Sequence, residues 1–185
     1  MMKWSVTFDR LPSKATIGGV VYDVAFGYRT MMAAEIEMFR QDISDEQKML
    51  NALNLFYVRN IPPDLDAAVD YMLWFHRGGE PARKGGGSKR RTARRGYCFL
   101  KDAPLIYAAF RQQYGINLRQ TPNDSLHWWE FLAMFEALDE TPGWRRSCTG
   151  GPVIPKEWEK SKKRISSRCG HFIPWKSRRQ RWIAG

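Results

Sequence analysis

Apolar positions alternate near the start of the chain and take up helical spacing afterwards. Ala15, Thr16 and Ile17, then Gly18-Gly19, then Val20, Val21, Tyr22 and Val24 predict a short β-hairpin over 15–24. A Gly-Gly loop supplies the positive φ angles of a tight turn. Two strands alone are marginal, so a helix face must lie beneath them. From Tyr28 the residues Met32, Ala33, Ile36 and Phe39 recur at helical intervals and predict a first helix to about Gln41. Ser44 with Gln47 has the capping-box pattern, ahead of a second helix whose apolar face is Met49, Leu50, Leu53, Phe56 and Tyr57. Pro62 and Pro63 break the chain before Asp64, the expected N-cap of a third helix with the stripe Leu65, Ala68, Val69, Met72 and Phe75. Gly78-Gly79 ends it.

Two further helices follow a change of character. Residues 80–96 mix glycines with basic groups and predict a flexible loop, because they offer too little apolar area to offset chain entropy. Asp102 can then cap a helix carrying Leu105, Ile106, Ala109, Phe110 and Tyr114, closed by Gly115 in a left-handed cap. Asn123, Asp124 and Ser125 offer a cap for a fifth helix over 124–138, where Leu126, Trp128, Trp129, Phe131, Leu132, Met134, Phe135 and Leu138 are interrupted by few polar residues. Adjacent Trp128 and Trp129 project about 100° apart on a helix, so burying both requires neighbours on more than one face. The reading is a mainly α fold of about five helices packed around helix 124–138, with the hairpin on it. Four other helices and a hairpin cannot cover every side of that helix, so an uncovered aromatic strip is expected, with Trp74, Phe75, Trp128 and Trp129 as the partner-binding residues.

Composition sharpens the domain organisation. With 185 residues, 43% hydrophobic and 14% aromatic, the chain suffices for one well-filled core. The net charge of +11 is unevenly placed. Residues 145–185 hold 12 Lys and Arg against 2 Asp and Glu, and lack an amphipathic period. They read as an irregular basic tail, disorder being the expectation of such a composition, behind a 1–144 domain of net charge +1. Within that domain Arg83, Lys84, Lys89, Arg90, Arg91, Arg94 and Arg95 form a cationic run without an acid. Removing them leaves an acidic body. The run is expected to be a solvated linker that meets nucleic acid weakly and without sequence preference, because no aromatic side chains interleave it for base stacking.

Candidate chemistry is sparse. Cys98, Cys148 and Cys169 are odd in number and irregular in spacing, which fits neither a disulfide framework nor a zinc motif, and Cys169 with His171 makes too few ligands. Gly85-Gly86-Gly87-Ser88-Lys89 lacks the Walker spacing and the preceding strand. His127 on an apolar helix reads as a packed, hydrogen-bonded side chain, and His76 as a favourable charge at a helix C-terminus. No catalytic constellation, metal or cofactor is expected, so the enzyme class drops out. No apolar run approaches a bilayer span and the start has no signal-peptide core, so a cytosolic protein without membrane contact is expected.

The wording at 103–118, Ala-Pro-Leu-Ile-Tyr-Ala-Ala-Phe-Arg-Gln-Gln-Tyr-Gly-Ile-Asn-Leu, and at 126–131, Leu-His-Trp-Trp-Glu-Phe, joins upstream blocks at Leu55-Phe56-Tyr57, 61–64 and Met72-Leu73-Trp74-Phe75. Together these resemble the tail-assembly-chaperone-like proteins of long-tailed (siphovirus-type) bacteriophages, over about residues 8–144. The resemblance implies a non-catalytic assembly chaperone in the host cytoplasm, absent from the mature virion. Its client would be the tape-measure protein, with the tail-tube protein and a second copy of itself as further candidate partners. A basic nucleic-acid-binding phage protein, acting through 83–95 and the tail, is the alternative. Suitable codons for Arg146 to Ile154, read from each third base, spell Ile-Val-Tyr-Trp-Arg-Ala and then, one position on, Asp. That is similar to the family's continuation, so the expectation is a tail out of frame with the body, against a genuine basic tail.

Overall fold

The computed structural model describes residues 5–81 and 97–138. Strands β1 (Lys14–Ile17) and β2 (Val20–Asp23) pair antiparallel, with Ile17 opposite Val20 and Lys14 opposite Asp23. Gly18 and Gly19 both adopt positive φ, 57° and 78°, as a two-residue hairpin loop demands. Ala15 and Ile17 turn into the core while Lys14 and Thr16 face out, the two-residue period of a half-buried strand.

Five helices follow: α1 (Tyr28–Met38), α2 (Asp45–Phe56), α3 (Leu65–His76), α4 (Ala103–Tyr114) and α5 (Trp128–Glu136). The mainly α architecture with an N-terminal hairpin is therefore as the residue pattern predicts. Ser44 caps α2 by accepting from the Gln47 backbone N–H at 3.2 Å, and the Asp64 carboxylate caps α3 through the Ala67 N–H at 3.0 Å. The Gln47 side chain turns to Asn51 instead of closing a capping box. Gly78, Gly79 and Gly115 end α3 and α4 with φ of 70°, 82° and 68°. Gly79 has a second reason to be glycine, because a Cβ there would come within 2.7 Å of the Trp129 ring.

Three expectations change. Helix α5 starts at Trp128, not near 124, and Asn123–Ser125 form a separate 3-10 turn. Asn123 caps a different helix: its Oδ1 accepts from the Arg29 N–H of α1 at 3.0 Å, where the N-cap residue Gly27 has no side chain to offer. The buried face of α1 is also rotated from the predicted stripe. Met31, Ala34, Glu35 and Met38 are buried, whereas Met32, Ile36 and Phe39 are only partly so. The reason is Glu35, which a polarity pattern assigns to solvent but which lies 1% exposed against His76. Finally, α4 is a surface helix burying only Ile106 and Phe110, with Leu105 48% exposed. Asp102 occupies its N-cap position, yet the carboxylate accepts from the Cys98 N–H instead.

The core is aromatic and centred on α5. Phe131 stacks on Phe110 of α4 at 5.0 Å between centroids, on Tyr28 of α1 at 5.7 Å and on Trp128 at 5.4 Å. Phe135 meets Tyr97 and Phe99. Such ring pairs add about 0.5–1.5 kcal/mol each beyond the burial of their area. Within α5 Ala133 and Glu136 are exposed, and Glu130 and Met134 partly so.

Candidate partner-binding site

The paired tryptophans hold two helices together. At the end of α3 carbonyls have spare acceptor capacity, Phe75 O taking the Gly78 N–H at 3.0 Å as well, and the α5 indoles fill it. Trp128 Nε1–H donates to the His76 carbonyl oxygen at 2.9 Å, and Trp129 Nε1–H donates to that of Phe75 at 2.8 Å. Phe75, Trp128 and Trp129 are 0%, 0% and 2% exposed. This corrects the expected partner strip, because the aromatic residues of α5 are buried and leave no aromatic strip open. Trp74 alone of the four is partly exposed, packed edge-on against Trp129 and tilted on Tyr71.

Histidine chemistry is structural at both described positions. His127 is the N-cap of α5: its Nδ1 accepts from the Trp129 N–H at 3.0 Å, and the Glu130 carboxylate accepts from the His127 N–H at 2.8 Å. With Nδ1 as acceptor, Nε2 carries the proton and donates to the Pro12 carbonyl oxygen at 3.0 Å. Only the Nδ1 bond needs the neutral ring, since an imidazolium would still donate from Nε2. Burial pushes the imidazole below its usual value, opposed by the Pro12 bond and Glu130. His76 Nε2 lies 2.9 Å from Glu35 Oε2, and Nδ1 has no hydrogen-bond partner among the described residues. An imidazolium would bury an unsatisfied Nδ1–H, whereas the neutral ring leaves only an acceptor unmet. Burial, then Arg77, lowers the His76 pKa to about 4. The expected helix-end charge is therefore replaced by a neutral ring in a buried pair.

A pH test isolates the His127 cap. A group whose folded pKa is depressed binds its proton more readily when unfolded, so stability is lost as pH falls below about 6.5, at up to about 1.4 kcal/mol per pH unit. His127→Asn keeps a capping oxygen without titrating. Chemical denaturation from pH 7.5 to 5 should show the parent ahead at neutral pH and the gap narrowing on acidification. A gap that widens would contradict the neutral cap.

The open site lies on the other side of Trp74. The segment Arg10–Lys14 runs past α3 and, with Thr16, Tyr71 and Trp74, encloses a groove of about 570 Å³. Three tethers fix its wall: Pro12 O accepts from His127, Ser13 O from the Val24 N–H at 3.2 Å, and Lys14 O from the Tyr71 hydroxyl at 2.8 Å. Burial raises the Tyr71 phenol to about 12, which keeps it a donor at any working pH. Two residues before Arg10, Phe8 is 89% exposed. The residue pattern points to Trp74 but not to Tyr71, Arg10, Lys14 or Thr16. One signal was available: a two-stranded hairpin must have an outer edge.

Arg83, Lys84, Lys89, Arg90, Arg91, Arg94 and Arg95, the tail from 145 and its frame, lie outside the described residues. Among the described residues no three His, Cys, Asp or Glu converge as metal ligands, and no helix is long and apolar enough to cross a membrane.

These features define a helical domain with a hairpin-edged, aromatic-floored groove whose volume lies in the size range of ligand pockets. By comparison with known families, the chain belongs to the Bacteriophage Gp15 protein family, whose model matches residues 7–145. No curated protein and no solved structure matches it.

Proposed function

We propose that this phage protein is a non-catalytic tail assembly chaperone that works in the host cytoplasm, keeping the tape-measure protein soluble until tail-tube subunits polymerise around it. Support comes from the blocks at 55–57, 61–64, 72–75, 103–118 and 126–131, which resemble tail-assembly-chaperone-like proteins and fall inside the region matched to the phage family. The observation that carries the reading is the groove beside β1, a preformed concave surface with backbone and aromatic groups available to a chain. With Phe75, Trp128 and Trp129 buried, the reading assigns the client contact to this groove instead of an aromatic helix strip. Many weak contacts along one long client would give avidity without a tight single site.

The test is co-expression with the tape-measure protein of the same phage, followed by affinity purification and size-exclusion chromatography. The reading predicts a soluble complex, with the tape-measure protein pelleting when expressed alone. A tape-measure protein that pellets equally in both cases would overturn it.

A further inference from the structure

The outer edge of β1 is an unpaired strand edge built into the groove. In a hairpin closed by a two-residue loop, Ile17 and Val20 form a hydrogen-bonded pair, so pairing recurs at Ala15–Tyr22 and Ser13–Val24. The Val24 N–H bond to Ser13 O agrees with that register. Lys14 and Thr16 therefore direct their backbone groups away from β2. Lys14 O is taken by Tyr71, while Thr16 N–H and C=O have no partner among the described residues. Charge adds a second, independent observation. The described residues hold ten Lys and Arg against fifteen Asp and Glu, a net charge of −5. The groove lining nevertheless contains two cations, Arg10 and Lys14, and no acid. Lys14 approaches Asp23 only at 4.0 Å between exposed side chains, and Arg10 has no ion pair among the described residues.

We infer that the groove takes an extended, acidic peptide segment as an added strand on the outer edge of β1, its backbone pairing at Thr16, its carboxylates facing Arg10 and Lys14, and an apolar side chain on Tyr71 and Trp74. Strand addition gives affinity through the main chain, and alternate side chains give selectivity. The tethers at Pro12, Ser13 and Lys14 hold the edge ready, so little ordering is lost on binding. An oligonucleotide fits less well, since two cations neutralise few phosphates and neither aromatic ring stands free for stacking. The inference rests on the chaperone reading only in assigning the segment to the tape-measure client.

The experiment titrates the full chain with acetyl-(Val-Glu)4-amide, with the Lys counterpart (Val-Lys)4 and with oligothymidylate, following backbone amides by NMR. The expected result is saturable binding of the Glu peptide alone, slowed exchange of the Thr16 amide, and affinity about fivefold or more weaker in Arg10→Glu. Arg10 is exposed and takes part in none of the bonds that hold the hairpin, so the variant should fold as the parent does. No binding, an unchanged affinity in Arg10→Glu, or preference for oligothymidylate would overturn the inference. Peptide binding by a protein that leaves the tape-measure protein insoluble would uphold the groove and overturn the chaperone reading.

Discussion

Trp129→Ala is expected to cost about 3–5 kcal/mol, enough to unfold much of the population of a domain this size. The ring is 2% exposed, lies against Trp74 and Phe75, and fills the space left by Gly79. Alanine removes that volume and also one of the two N–H groups on the Phe75 carbonyl, leaving the Gly78 N–H at 3.0 Å. Chemical denaturation gives the answer. A loss below about 1 kcal/mol would place the side chain outside the core, since large aromatic truncations in a packed interior cost several times that.

The second large effect is expected at a residue with no side chain. A Cβ on Gly27 would lie 2.5 Å from the Asn123 backbone oxygen, so alanine forces the 3-10 turn away from the start of α1. Three features meet there: the Asn123 cap on Arg29, the bridge between Gly27 and His127, and the Trp128 N–H bond to Phe26 O at 2.8 Å. Overpacking costs about 1–3 kcal/mol and loss of a cap about 0.5–2 kcal/mol, so Gly27→Ala should lose about 2–4 kcal/mol. Asn123→Ala, which removes the cap without the clash, should lose about 1 kcal/mol. Equal losses for the two variants, measured by thermal and chemical melts, would show that the close approach at Gly27 does not matter.

The contrast between these sites explains what the residue pattern could tell. Signals that act within a few residues were legible: Gly18-Gly19 for the hairpin, Ser44 and Asp64 as caps, Gly115 as a left-handed stop. Relations across long stretches of chain were not. Asn123 looks like the cap of the helix that follows it, yet it serves α1 more than ninety residues earlier. Glu35 breaks the apolar stripe of α1 because its partner, His76, comes from α3. Trp128 and Trp129 look too apolar to be covered until one sees that the end of α3 accepts their N–H groups. The groove was hidden for the same reason. Tyr71 and Lys14 meet only once α3 packs beside β1, and nothing local to either residue marks the contact.

If strand addition on β1 is the mode of recognition, the burial of the aromatic residues is an asset. An exposed strip of Trp128 and Trp129 would invite self-association, whereas an edge restricted to Thr16 and flanked by Arg10 and Lys14 favours one kind of chain. Short edges with charges beside them discourage pairing between copies. The same features would then allow repeated, reversible engagement of a long client.

The most direct measurement is made during infection. A nonsense mutation early in this gene, in the phage that carries it, should leave the tape-measure protein in the insoluble fraction of the lysate and heads without tails under the electron microscope, with both defects reversed by supplying the protein in trans. A soluble tape-measure protein and tails of normal length in the mutant would contradict the account.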